Sequence, residues 1–376
     1  LKEGIDSNGL TAIFIESGGS EELFIKNEQF LPKSLIIISD YYNNSLAATL
    51  EICSWLKSKN RHFFHLHIPL ELSEKRVSQL KEQLADLFAI QKTLCWLDSC
   101  NIALIGNESP WLISSHIDKE YINNKYGVNF IEISTDYLIE RFNQTEINDL
   151  HSKETIDKLV TKLEDNRSLE DLELAVKLYK AIYNICNENR INALTIKCFD
   201  ILEVSKTTAC LALSLLNDSN IVCGCEGDIP SLWSMIIAKQ LCNSNSFMAN
   251  PSSIETIDKS IDFSHCTIPL SISESYKLTS HYESKIGIGI KSQLKLGKYT
   301  IFKCAGERLN KALIFQGSII QNTDVINRCR TQIKFSFNSI EDQSKFLNSY
   351  LGNHTIIIPC ECYNRLKIWE ELIKTS

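Results

Sequence analysis

Four side chains stand where strand-like runs begin or end, beside small or apolar neighbours: Glu226, Asn250, His265 and His354. Glu226 follows the short apolar run Ile221–Val222–Cys223 in CGCEGDIP, the place where open α/β sheets hold their reactive groups. A carboxylate, an amide and two imidazoles could together hold a cation or move protons. Each also has a structural explanation. Asp228 can cap a helix starting near Pro230 with Glu226 merely solvated, Asn250 before Pro251 can form a turn, and a lone His beside a strand is commonly hydrogen-bonded packing. Spacing alone favours those structural roles over a four-residue metal site. No nucleophile elbow, P-loop, or His-Glu-x-x-His helix is present.

The elements that must position these residues alternate. LIIIS (Leu35–Ser39) and HFFHLHI (His62–Ile68) read as strands around a helical ATLEICSWLKSK. Val77, Leu80, Leu84, Leu87 and Phe88 then share a helical face, completing a β-α-β-α unit. A second unit opens at NIALIG (Asn101–Gly106) and passes through a polar, surface-lying helical segment, NQTEINDLHSKETIDKLVTKLEDNRSLED. Next comes a helix with Leu172, Ala175, Val176, Tyr179, Ile182 and Cys186 on one face. ALTIKC, IVCGC and SFMA follow, separated by helical stretches, and are expected to be parallel. That arrangement gathers Lys197, Glu226 and Asn250 on one sheet edge.

From about Ser264 the chain alternates apolar and polar residues between glycine-marked turns, in KIGIGIKSQLKLGKYTIFKCAG, ALIFQGSIIQ and CRTQIKFSF. These read as antiparallel hairpins of a small barrel. Two terminal helices flank the strand HTIII, with Gly352 expected as a helix cap. Gly287 and Gly289 lie inside a strand pattern with no helix following, so they permit a bulge or close backbone approach and are no dinucleotide fingerprint. The expectation is two Rossmann-like α/β domains, residues 1–95 and 96–263, with parallel sheets, then a C-terminal antiparallel β-barrel-like domain, 264–376.

Composition excludes several classes. The 376 residues carry a net charge of −7 and no run of cations that could neutralise successive phosphates, so nucleic acid is not a partner. No apolar run approaches a membrane span, and LKEGIDSNG shows no signal pattern, which points to a cytoplasmic protein; its lack of Met is read as the removal of a start residue or tag. The 14 cysteines are read as reduced, buried thiols. The pairs Cys223/Cys225 and Cys360/Cys362 lack the repeated Cys-x-x-Cys spacing of a zinc or iron–sulfur site. In the barrel segment, His281, Glu283 and Arg330 could hold substrate hydroxyls, and each could equally be a surface residue. Trp111 and Trp233 are read as core or interface aromatics.

ALTIKCFDILEVSKTTACLALSLLNDSNIVCGCEGDIPSLWSMIIAKQL, then FMANPSSIETIDKSIDFSHCTIPL, HYESKIGIGIK and GNHTIIIP resemble, in order, the core of the L-fucose isomerase and L-arabinose isomerase family. The resemblance covers roughly residues 100–376 and is most specific around Glu226 and at GNH; the first hundred match only in texture. It implies a metal-dependent aldose–ketose isomerase acting on a pentose, hexose or substituted sugar. It further implies a divalent cation, usually Mn²⁺, held by Glu226, Asn250, His265 and His354, and an assembly of trimers or hexamers. By that resemblance Glu226 and the residue at 250 are the catalytic pair. Asn250 departs from the family, which places a carboxylate there; an amide can coordinate but cannot cycle a proton near neutral pH. The expected outcomes are therefore Glu226 working with a water or with a recruited Lys197, Asp228 or Glu283, a related epimerisation, or retained sugar binding without turnover.

Overall fold

The structure, a computed structural model, describes residues 10–374; the amino-terminal LKEGIDSNG stretch lies outside them. Two compact units divide the chain, one formed by residues up to Ser99 together with those from Lys367 on, the other by Cys100–Leu366.

The first unit is a three-stranded parallel sheet of β1 (Ala12–Ile15), β2 (Ser34–Asp40) and β3 (His62–Ile68) in the order β1-β2-β3. Central β2 is fully apolar at Leu35, Ile36 and Ile37, each 0% exposed, because helices cover both faces of a parallel strand. Ala48, Ile52 and Leu56 of helix Ser45–Ser58 pack on one face, and Leu80, Leu84 and Leu87 of helix Glu74–Leu97 on the other.

The second unit joins a parallel sheet to a barrel. β4 (Asn101–Ile105), β5 (Asn129–Ile133), β6 (Ala193–Ile196) and β7 (Val222–Cys225) lie in the order β5-β4-β6-β7. Helix Leu169–Glu188 starts at a capping box of Ser168 and Asp171, and its periodic apolar face is buried. β8 (Phe247–Glu255), β9 (Ser260–His265), the hairpin β10 (Ser275–Thr279) and β11 (Gly289–Gln293), then β12 (Gly297–Ala305), β13 (Lys311–Asn322), β14 (Thr331–Phe337) and β15 (Thr355–Ile358) follow. Six of them close a barrel in the order β12-β13-β14-β9-β8-β15. Phe263, Phe335 and Phe337 fill it, and Gly317 of β13 exists because a Cβ there would lie 2.6 Å from the Phe335 ring. The expected class, parallel α/β sheets plus an antiparallel barrel, is present.

Several expectations change. SFMA is the start of β8, paired antiparallel with β9 and β15, not a third parallel strand beside β7. A four-residue apolar run carries no information about its partner, and β15 lies about a hundred residues downstream. The barrel consequently begins at Phe247, ahead of the expected boundary at 264, and the terminal residues from Lys367 group with the first unit. Cys242 and Cys362 form a disulfide, with Cα atoms 5.9 Å apart, where free thiols were expected; helix Ile229–Cys242 ends beside the turn after β15. Gly352 sits in a left-handed turn at φ 91°, past the helix Ile340–Leu347 that Asn348 caps. Gly287 behaves as expected, with a Cβ there lying 2.5 Å from the Thr208 backbone nitrogen.

Candidate active site

β7 ends at Cys225, and the chain turns sharply through Glu226 (φ 62°) and Gly227 (φ 73°) into helix Ile229–Cys242. A left-handed conformation at a non-glycine residue costs about 1–2 kcal/mol, and it clusters at functional sites. The loop after β4 enforces it: the Ser109 amide donates to the Glu226 carbonyl, and a Cβ on Gly227 would sit 2.8 Å from Glu108 Cα. The turn thus holds the Glu226 side chain beyond the carboxyl edge of the sheet.

The barrel supplies the facing groups through its register. Ala249 pairs with Thr355 across β8 and β15, and Asn250 pairs with Ser264 across β8 and β9. Asn250, His265 and His354 therefore fall at the same end of three adjacent strands, each at or one residue beyond a registered pair. The His265 and His354 rings lie edge to face, 5.5 Å between centroids. His354 Nε2 is 3.6 Å from Glu226 Oε1, and a ligand atom from each of Cys225, Glu226 and His265 lies within 4.8 Å of the others.

Beneath this surface Asp228 is fully buried and saturated. It caps the helix by accepting from the Ser231 amide, takes the Ser231 hydroxyl at 2.6 Å and His354 Nδ1 at 2.8 Å, and pairs with Lys303 at 3.6 Å. Lys303, itself 2% exposed, also donates to Ser231. Burial would raise the Asp228 pKa, but the Lys303 charge and the His354 bond outweigh it and hold the group ionised. Asp228 therefore orients His354 through Nδ1–H and leaves its Nε2 to the site. Burial lowers the His354 pKa, yet Asp228 and Glu226 reverse this and lift it to about 9. For Glu226 burial is likewise outweighed, first by His354, taking the pKa to about 2. His265, buried and facing His354, falls to about 4 and is neutral.

Two buried atoms of the cluster have no hydrogen-bond partner, His354 Nε2 and Asn250 Oδ1. Unpartnered buried polar atoms are rare, and an imidazole held by a carboxylate at one nitrogen is how proteins present the other nitrogen to a cation. With the Glu226 carboxylate they make an oxygen-and-nitrogen donor set suited to a borderline divalent ion. His265 fits that role less well, since its Nδ1 accepts the Thr267 amide at 3.1 Å.

The substrate-binding candidates divide. His281 is buried, its Nδ1 fixed by Ser284 and its ring 5.9 Å from Phe199; Glu283 lies 3.9 Å from its Nε2. Burial and the Glu226 charge both raise the Glu283 pKa. Arg330 is spent on the Ser280 carbonyl and hydroxyl, and Lys197 pairs with Asp200 at 2.9 Å. Trp111 is the residue that sequence reasoning assigned elsewhere. It is 49% exposed, donates Nε1–H to Glu226 Oε2 at 2.7 Å, and meets Phe199 edge-on at 5.4 Å. Trp111, Phe199 and His281 form one aromatic wall beside the carboxylate. Lys303 was also missed, although a lysine inside the apolar run IFKCA was a readable signal.

No family model matches the chain. Curated relatives do. A sulfoquinovose isomerase of Clostridium sp. (strain MSTE9) is 28% identical over 212 residues, 55% of this chain and 45% of that protein. One from Alkalicoccus urumqiensis is 25% identical over 273 residues, covering 68% of this chain and 59% of the relative. One from Priestia aryabhattai is 22% identical over 298 residues, covering 74% and 64%. The chain thus spans about half to two thirds of the length of these relatives. Among the described residues no helix is long and apolar enough to cross a membrane.

Proposed function

We propose that the chain is a divalent-metal-dependent aldose–ketose isomerase whose substrate is a substituted hexose of the sulfoquinovose type. The observation carrying this reading is the Asp228–His354 pair, whose Nε2 stands 3.6 Å from Glu226, with Asn250 at the same end of the neighbouring barrel strand. The names of the matching relatives supply the substrate class.

Glu226, Asn250 and His354 would hold the cation, Mn²⁺ by the family resemblance, whose chemistry is Lewis-acid polarisation of two adjacent sugar oxygens. Glu226 is ionised at neutral pH and so can take the carbon-bound proton from one of the two carbons and return one to its neighbour, through a neutral or anionic ene-diol. The Trp111 N–H binds Oε2 of that carboxylate and so fixes its orientation. Asp228 is enclosed and saturated, so it orients and does not exchange protons with substrate. Glu283, 3.9 Å from His281 Nε2 and held above the usual carboxylate range by burial and the Glu226 charge, is the group we assign to moving the oxygen-bound proton. The family resemblance adds a homo-oligomer, a trimer or hexamer.

Asn250 favours one rival, a sugar-binding relative without turnover. Proton exchange separates them. With Mn²⁺ and sulfoquinovose or an unsubstituted aldohexose in D₂O, deuterium enters C1 or C2, and Glu226→Gln abolishes the incorporation. No incorporation with any sugar that binds leaves the rival standing and overturns the isomerase reading.

A further inference from the structure

We propose that His265 is a neutral hydrogen-bond donor facing the reacting oxygens of the sugar, and that His354 is the only imidazole among the cation's ligands. This rests on the cation-dependent reading above.

The two rings are held in opposite polarity by fixed groups. His265 Nδ1 lies 3.1 Å from the Thr267 backbone nitrogen, which carries one hydrogen and can only donate. Nδ1 must therefore offer a lone pair, and the ring proton resides on Nε2. Binding a cation through Nε2 would move that proton to Nδ1 and set two N–H groups against each other in a buried place, forfeiting a hydrogen bond and leaving both donors unsatisfied. His354 is the mirror case: Nδ1 meets the ionised Asp228 at 2.8 Å and must donate, so Nε2 is the nitrogen that gives up its proton when a cation binds. Although the rings are only 5.5 Å apart, one offers an acceptor to a cation and the other a donor.

Geometry gives that donor its use. One of the His265 ring nitrogens lies within 4.8 Å of a Glu226 carboxylate oxygen and the ring stands 5.5 Å from that of His354, so His265 borders the volume in which Glu226 would meet a substrate carbon. In the proposal its Nε2–H stabilises the oxygen on which negative charge grows as the ene-diol forms, and it need not surrender its proton. The donor also offsets Asn250. With an amide where the resembled family has a carboxylate, the site has one proton-cycling and charge-balancing group fewer, and a neutral N–H adds stabilisation of the growing negative charge without adding charge of its own.

Pulsed EPR of the Mn²⁺-loaded full chain counts coordinated imidazoles through their ¹⁴N modulation. The expected result is one, retained in His265→Gln and lost in His354→Gln. Two imidazoles in the wild-type protein, or loss of modulation in His265→Gln, overturns the proposal. A protein that binds no Mn²⁺ overturns the isomerase reading together with it, and the two failures are thus distinct. Should the variants not fold, long-range ¹H–¹⁵N correlation on ¹⁵N-histidine-labelled wild-type protein decides. The Nε2–H tautomer is expected for His265, and Nδ1–H overturns the assignment. In His265→Phe, Mn²⁺ affinity is expected within threefold of wild type while affinity for a sugar alcohol falls about tenfold; a matching fall in Mn²⁺ affinity would make His265 a ligand.

Discussion

His354 couples the site to pH, because the state that the buried carboxylates favour is the one a cation cannot use. Asp228 and Glu226 lift its pKa from 6.5 to about 9, so in the cation-free protein the ring is charged throughout the neutral range. This raised value stabilises the fold fully below about pH 6.5, and the contribution is lost as pH rises through about 9. Cation binding has the opposite sign, since the Nε2 lone pair must be vacated by its proton. Apparent Mn²⁺ affinity should climb by about tenfold per pH unit up to about pH 9 and then level. Calorimetry in buffers of differing ionisation enthalpy should show about one proton released per Mn²⁺ bound at pH 7.5. An affinity flat from pH 6 to 8 would remove His354 from the ligand set.

At the scale of elements, the turn from β7 into helix Ile229–Cys242 decides whether Glu226 can be aimed at all. Gly227 takes φ 73° and admits no Cβ, since the loop backbone at Glu108 is 2.8 Å away. Gly19, at φ 83° with nothing within 4 Å, shares the dihedral without the crowding. Gly19→Ala should cost about 1 kcal/mol from the dihedral alone. Gly227→Ala should cost more, about 2–4 kcal/mol, and weaken Mn²⁺ binding by displacing Glu226. Denaturant midpoints and Mn²⁺ titrations of the pair measure both effects; equal destabilisation would mean that the loop yields. The same turn shows what the sequence could and could not reveal. A short buried run ending in Glu-Gly-Asp before a Pro-started helix was legible as a strand end with a capped helix, because propensity and capping are local. The convergence of Asn250, His265 and His354 was visible only by family resemblance, since it depends on β8 pairing with both β9 and the distant β15. Trp111 could not be read: a lone tryptophan in a polar loop carries no sign of a carboxylate 115 residues away.

For the whole molecule, the placement of every site group within Cys100–Leu366 has a thermodynamic consequence. The site joins a parallel sheet edge to the end of a closed barrel, so a ligand bridging Glu226 and His354 ties the two together. Mn²⁺ at 100 times its dissociation constant should stabilise the native state by about 2.7 kcal/mol. That stabilisation should appear locally in hydrogen exchange, as slower exchange at the β7 turn, at the start of helix Ile229–Cys242, and at the ends of β8, β9 and β15. The sheet β1-β2-β3 contributes no ligand, and its amides are expected to exchange at unchanged rates. Protection that rises equally in β1-β2-β3 would place the cation elsewhere, while protection confined to the β7 turn and absent from β15 would show that His354 does not reach it.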